Sequence, residues 1–330
     1  MIKIVKLRWI VTTALIILFL MSCTILGATK QKIPNRQSFA ERSPNEIDSR
    51  SQQNNFSNLD KMEITDRPAM RNIDRSNDRP KLQILLPLYI YPNWYNKDKY
   101  AWKQVIMAAK KVQIVAIINP NNGPNHTAPN QDYQQGIKDL HQAGVKIVGY
   151  VPSNYAKRDL QAIEADIDLY LKYFNIDGIF IDEAANTQDK LDYYRQIYQY
   201  IKSQSSSINS GKLPNYNVII NPGTDVDESY LDRSVADVVV IFENYQKVWT
   251  NYHPPAYTEK YSSQNFAALV HTTANHKLME STIDRAVKDK FGYIYITNDS
   301  TDTANQNPWD SLPEYWQAQV DYIQKLNAAK

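Results

Sequence analysis

Cysteine is almost absent: Cys23 is the only one in 330 residues, so no disulfide within the chain can brace the fold. Glycine is scarce at nine residues, and G-x-G-x-x-G does not occur, which removes the phosphate-cradling turn of a dinucleotide-binding sheet. G-x-S-x-G, the turn that presents a serine nucleophile, is also missing. The five histidines (His126, His141, His253, His271 and His276) show neither H-E-x-x-H nor another paired ligand spacing, so neither a metal nor a cofactor is expected. Charge of one sign is lacking too. With 37 Lys and Arg against 35 Asp and Glu, interspersed along the chain, the net charge is +2, and no clustered basic face exists to neutralise a nucleic-acid backbone.

Aromatic residues, by contrast, are plentiful. Twenty-three Tyr and six Trp exceed what a core needs, and such rings are rigid amphipathic platforms suited to sugars. The N-terminus carries Lys3, Lys6 and Arg8 ahead of an apolar run at 9–21, which reads as a signal peptide over 1–22, too short to span a bilayer. Leu20-Met21-Ser22 before Cys23 resembles a bacterial lipobox, in which the signal is cut before a cysteine that then takes the lipid. Export to the cell surface on a lipid anchor at Cys23 follows as the expectation, and Thr24, in place of an Asp, fits the outer membrane. An uncleaved anchor and secretion past Gly27-Ala28 are the alternatives. Residues 23–80 are rich in Asn, Ser, Gln, Arg, Asp and Pro with scattered apolar positions. They bury too little surface to offset their ordering entropy and are expected to form a flexible tether ahead of a domain at 81–330.

In that domain, short apolar runs at 84–91, 112–118, 145–151, 176–181, 216–220, 235–242, 266–271 and 293–297 alternate with helical patterns at 100–110, 132–143, 160–174, 187–205, 228–233, 258–261, 278–288 and 312–326. Strands apolar on both faces belong to a parallel sheet covered by helices, and eight alternations predict a closed (β/α)8 barrel with its site on the C-terminal rim. The fourth run, N-I-D-G-I-F-I-D-E at 175–183, ends in two adjacent carboxylates, Asp182 and Glu183. The sixth, V-V-V-I-F-E, repeats the pattern and ends in Glu243. On a barrel these carboxylates face each other across the mouth, as glycoside hydrolysis requires: one carboxylate acts as nucleophile or base, the other is kept protonated as the acid. A cap by Asp182 and an i,i+4 pair of Glu243 with Lys247 are the competing structural roles. Tyr89, Asn119, His126, Tyr150, Asn221, Tyr245 and His271, also at or after strand ends, are candidate substrate contacts.

The segments L-L-P-L-Y-I-Y-P at 85–92, I-I-N-P-N-N-G-P at 117–124, V-G-Y-V at 148–151, D-G-I-F-I-D-E at 177–183, I-I-N-P-G at 219–223 and V-V-V-I-F-E at 238–243 together resemble the spherulation-specific family 4 (spherulin 4) domain, in order along the chain. The resemblance implies a (β/α)8 barrel similar to glycoside hydrolase family 135, whose fungal members are endo-α-1,4-N-acetylgalactosaminidases acting on galactosaminogalactan. It also implies Asp182, Glu183 and Glu243 as the catalytic set and substrate contacts from the 119–126 loop. That loop departs from the pattern, reading N-N-G-P-N-H where a smaller residue and a further Gly are expected after Pro124.

The expectation is therefore a monomeric surface lipoprotein that hydrolyses an amino-sugar exopolysaccharide with retention. Asp182 is the nucleophile, Glu243 the general acid/base, and Glu183 tunes its neighbour. The reaction class requires the two carboxyl groups about 5.5 Å apart. A non-catalytic carbohydrate-binding or matrix-attachment protein is the alternative, separated from the first by whether new reducing ends appear.

Overall fold

The computed structural model describes residues 80–96, 100–204, 215–232, 234–302 and 307–329. The signal peptide, Cys23 and the tether lie outside the described residues. Eight parallel strands close in sequence order: β1 (Gln83–Leu88), β2 (Ile114–Ile118), β3 (Lys146–Pro152), β4 (Gly178–Asp182), β5 (Asn217–Ile220), β6 (Val238–Tyr245), β7 (Phe266–His271) and β8 (Tyr293–Ile296). Around them run α1 (Ala101–Ala108), α2 (Gln131–Gln142), α3 (Leu160–Tyr173), α4 (Leu191–Gln204), the single turns α5 (Ser229–Asp232) and α6 (Gln246–Trp249), α7 (His276–Lys288) and α8 (Trp316–Ala328). The expected (β/α)8 barrel is present.

Burial explains the strand composition. β2 (IVAII) and β7 (FAALVH) are buried at every position, as strands enclosed by side chains on one face and helices on the other must be. β4 opens on Gly178 because a Cβ there would sit 2.2 Å from the carbonyl oxygen of Asn217 on β5. Side chains cap the helices that precede apolar faces: Asn130 accepts from the Tyr133 amide for α2, and Asn275 from the Leu278 amide for α7. The ring closes where Gln83 and Ile84 of β1 pair with Tyr293 and Ile294 of β8. Asn327 near the end of α8 fastens the same seam, accepting from the Leu82 amide and donating to its carbonyl, both at 2.9 Å.

Two aspartates clamp the face opposite the rim in the same way. Asp177, just before β4, accepts from the Ile147 amide of β3 (2.9 Å) and pairs with Lys146 (2.9 Å) and His141 (3.1 Å). Asp237, just before β6, accepts from the Val218 amide of β5 (2.7 Å), from Lys202 (2.7 Å) and from the Tyr198 hydroxyl (3.1 Å).

Several elements differ from the sequence pattern. The helix expected at 228–233 is one turn, and that at 258–261 is a 3-10 stretch, Ala256–Lys260. α8 begins at Trp316 rather than Leu312, with Pro313 ahead of it accepting from the Trp316 amide. β1 stops at Leu88, leaving Tyr89 and Tyr91 to the following loop. β6 runs three residues past its apolar core to Tyr245, paired with β7 as far as His271, and its register shifts between Val240 and Phe242.

Candidate active site

The register shift positions the first carboxylate. A bulge sets two residues of one strand against one of its partner and so flips the faces that follow. Phe242 turns outward onto Trp249 and Tyr252, with ring centroids at 4.8 and 4.9 Å, and Glu243 turns into the mouth. On the neighbouring strand, Asn221 directly follows the end of β5, and its buried side-chain amide donates to Glu243 Oε2 at 2.5 Å and to Asp182 Oδ1 at 2.7 Å. Asp182 is the last residue of β4. One nitrogen thus bridges the carboxylates of β4 and β6 across β5, and holds those two oxygens no more than about 5.2 Å apart.

Their environments are not equal. Burial pushes Glu243 up from 4.5 to about 7, and the Asp182 charge adds to the effect, while hydrogen bonds from Asn221 and Trp309 oppose it. Burial also raises Asp182, but hydrogen bonds from Tyr150, the Glu183 amide and Asn221 stabilise its charged form. Glu243 is therefore the proton holder of the pair, and Asp182 the group prepared to be ionised. Among the described residues no cation forms an ion pair with either one.

Glu183 is placed differently from its neighbour. Its backbone is left-handed (φ 50°) and its side chain is exposed, so its link to Asp182 runs through its own amide. Its carbonyl accepts from the Tyr155 amide at 2.7 Å, and the buried Ser153 hydroxyl sits 2.9 Å from the carbonyls of both Asp182 and Glu183. Tyr155 lies within a run of three left-handed residues, Asn154, Tyr155 and Ala156. Strained backbone of this kind persists where the surroundings fix it, and here it fixes the end of β4.

Beside the pair opens a cavity of about 360 Å³ lined by Tyr89, Asn119, Glu243, His271, Thr301, Asn307, Pro308 and Trp309. Tyr89 meets Tyr150 edge to face at 5.7 Å, and Tyr150 stacks on Phe180. Burial holds both hydroxyls protonated well above the usual range, with the Asp182 charge second, so they act as donors. His271 is kept neutral by burial and packs between the rings of Tyr245 (4.4 Å) and Trp309 (6.0 Å). Tyr245 itself is tied back by its hydroxyl to Thr301 at 2.6 Å and Asp302 at 3.0 Å, under Lys247, which covers its ring and forms no ion pair with Glu243. Asn119 Oδ1 accepts from the Gly123 amide at 2.9 Å, shaping the loop after β2.

The candidate residues Asp182, Glu243, Asn221, Tyr89, Tyr150, Asn119 and His271 thus converge on one mouth, with Tyr245 at its edge. His126 does not join them: it is exposed on its loop and outside the residues that line the cavity. Trp309 was not among the candidates. Its only signal is a tryptophan after proline in an otherwise polar loop following β8. Among the described residues, no group of three or more His, Cys, Asp or Glu side chains is arranged to hold a metal ion.

Comparison with known proteins agrees with this architecture. Residues 83–323 match the profile of spherulation-specific family 4. Spherulin-4 of Physarum polycephalum is 34% identical over 256 residues, covering 74% of this chain and 71% of that protein. The crystal structure of Aspergillus clavatus Sph3 in complex with GalNAc is similar with a TM-score of 0.62 at 26% identity, over 74% of this chain and 98% of that one. The chain belongs to spherulation-specific family 4.

Proposed function

We propose that the protein is a glycoside hydrolase that cleaves within an amino-sugar exopolysaccharide of the α-1,4-N-acetylgalactosamine type, with retention of configuration. The observation that carries the proposal is the amide bridge: two carboxylates, one raised to about 7, whose bridged oxygens Asn221 holds within about 5.2 Å, which fits the close pair of a retaining enzyme rather than the wider pair of an inverting one. The relative solved with GalNAc supports the choice of sugar.

In the first step an Asp182 oxygen attacks the anomeric carbon while Glu243 gives its proton to the departing glycosidic oxygen. The C–O bond breaks and a glycosyl ester forms on Asp182. Loss of its proton turns Glu243 into the base for the second step. It takes a proton from water as the water oxygen attacks the same carbon, which frees Asp182 and restores the acid. Asn221 donates to both carboxylates and steadies the charge as it passes from one to the other. Tyr150 and the Glu183 amide keep Asp182 ionised before attack.

Incubation with an α-1,4-N-acetylgalactosamine polymer, with product sizing and NMR of the newly formed ends, tests this reading. New reducing ends that form first as the α-anomer are expected. Appearance of the β-anomer first would overturn retention, and binding without new reducing ends would reassign the barrel to carbohydrate attachment. Export and anchoring through Cys23 belong to the same proposal; metabolic labelling with a fatty acid, abolished by Cys23→Ala, tests them.

A further inference from the structure

We infer that Tyr91, Trp94 and Tyr95 form a second sugar-binding surface at the outer edge of the mouth, a platform for units of the polysaccharide chain beyond those at the carboxylates. The inference rests on the reading of the substrate as a glycan. Among the described residues large apolar side chains are exposed at six positions, and three fall within five residues of the loop after β1: Tyr91 at 45%, Trp94 at 43% and Tyr95 at 63%. Single exposed rings need no explanation, whereas a contiguous group marks an interaction site.

These rings are held in place. Asp132, in the first turn of α2, accepts from the Tyr91 hydroxyl with one oxygen (2.7 Å) and from the Trp94 indole N–H with the other (2.9 Å). The Asn130 side chain donates to the Tyr91 hydroxyl at 2.8 Å while its oxygen caps α2. Tyr91 meets Tyr133 edge to face at 5.6 Å, and Trp94 meets Tyr95 in the same way at 6.0 Å. The amides of Asn93, Trp94 and Asn96 bond to carbonyls of the same loop. With the polar atoms of Tyr91 and Trp94 already engaged, the loop offers ring surface fixed before binding, which takes up the apolar face of a sugar at little ordering cost.

Continuity with the catalytic cavity identifies the occupant. Tyr89 and Asn119 line the cavity at its β1 and β2 edge, and the loops they begin are the two that carry the rings and their clamp. Trp94 lies five positions after Tyr89, at most about 18 Å of chain. A chain of several sugars leaving the carboxylates along this edge meets the rings, and a sugar confined to the cavity does not.

The full chain carrying Glu243→Gln, which suppresses turnover, is titrated by calorimetry with a disaccharide and with a long oligosaccharide of α-1,4-linked N-acetylgalactosamine. Adding Trp94→Ala with Tyr95→Ala is expected to weaken binding of the long chain about tenfold and to leave the disaccharide unchanged. Asp132→Ala, which frees the rings without removing them, is expected to give a smaller loss. Met107→Ala, an exposed apolar residue on α1, is expected to give none. Equal affinity of the double variant and its parent for the long chain would overturn the platform, as would an equal loss for both ligands or for Met107→Ala. If the otherwise wild-type enzyme still cleaves the polymer, only the platform has failed. If it neither cleaves the polymer nor binds either ligand, the substrate reading has failed and the platform with it.

Discussion

The two ends of the same strands treat their carboxylates in opposite ways. At the start of β4, Asp177 would be raised by burial, yet hydrogen bonds from His141, the Ile147 amide and Lys146 together bring it below the ordinary carboxylate range. At the end of β4, five residues on, Asp182 is raised, with only neutral donors around it. β6 repeats the contrast, with Asp237 paired to Lys202 at one end and Glu243, among the described residues, without a cation at the other. A carboxylate that fastens a strand is given a cation and a backbone amide. One held for chemistry is buried and left uncompensated, so that a proton can come and go.

The comparison breaks most directly at the rim. Asp182→Asn and Glu243→Gln are each expected to lower kcat on the amino-sugar polymer by at least about a thousandfold with the fold intact by circular dichroism, in line with loss of a nucleophile or of a general acid. Activity near wild type in either would place the chemistry elsewhere. Stability should move the other way. Because folded Glu243 keeps its proton to about 7 rather than 4.5, the native state binds more protons between those values, and its stability falls as pH rises through that window. Glu243→Gln abolishes this loss, so denaturant titrations should find the variant more stable than wild type by roughly 3 kcal/mol above pH 7 and about equal to it below 4.5.

At the opposite face, Asp177→Ala and Asp237→Ala strip a partner from the Ile147 and Val218 amides and should each cost about 1–3 kcal/mol in denaturant unfolding, with kcat of the folded fraction unchanged. A fall in kcat there would mean that the two ends are not independent. The smallest effect concerns Trp309. kcat/KM should follow a bell whose basic limb lies near pH 7, set by the carboxylate pair. The Trp309 hydrogen bond favours charged Glu243, so Trp309→Phe should shift that limb upward by a few tenths of a pH unit.

The barrel was legible because a strand buried on both faces must be apolar throughout, and β2, β4 and β7 leave little room for another reading. Asp182 and Glu243 were legible for the same reason, since charge at the edge of such a run is conspicuous. The relation between them was not. It depends on a bulge at Val240 and Phe242, which no residue type announces, and on Asn221, whose type fits a sugar contact equally well as a bridge between two acids. Glu183 looks equivalent to Asp182 on paper, and only the left-handed turn at Glu183 separates them. Trp309 is remote from Glu243 in sequence, and its hydrogen bond to that carboxylate is a tertiary contact that no spacing announces. Short helices such as α5 have too few residues for periodicity to fix their ends.

The Asn327 staple makes the domain's chain order cyclic in space. Leu82 and Asn327 are hydrogen-bonded neighbours, so the first and last segments of the barrel meet beside the short pairing of β1 with β8. The chain's start at β1 is thus one of eight places at which such a ring can be opened, and it falls at one of the two shortest pairings. A circular permutant joined across that seam and opened between any other pair of units would keep every strand neighbour it now has, and with them both carboxylates and the amide between them.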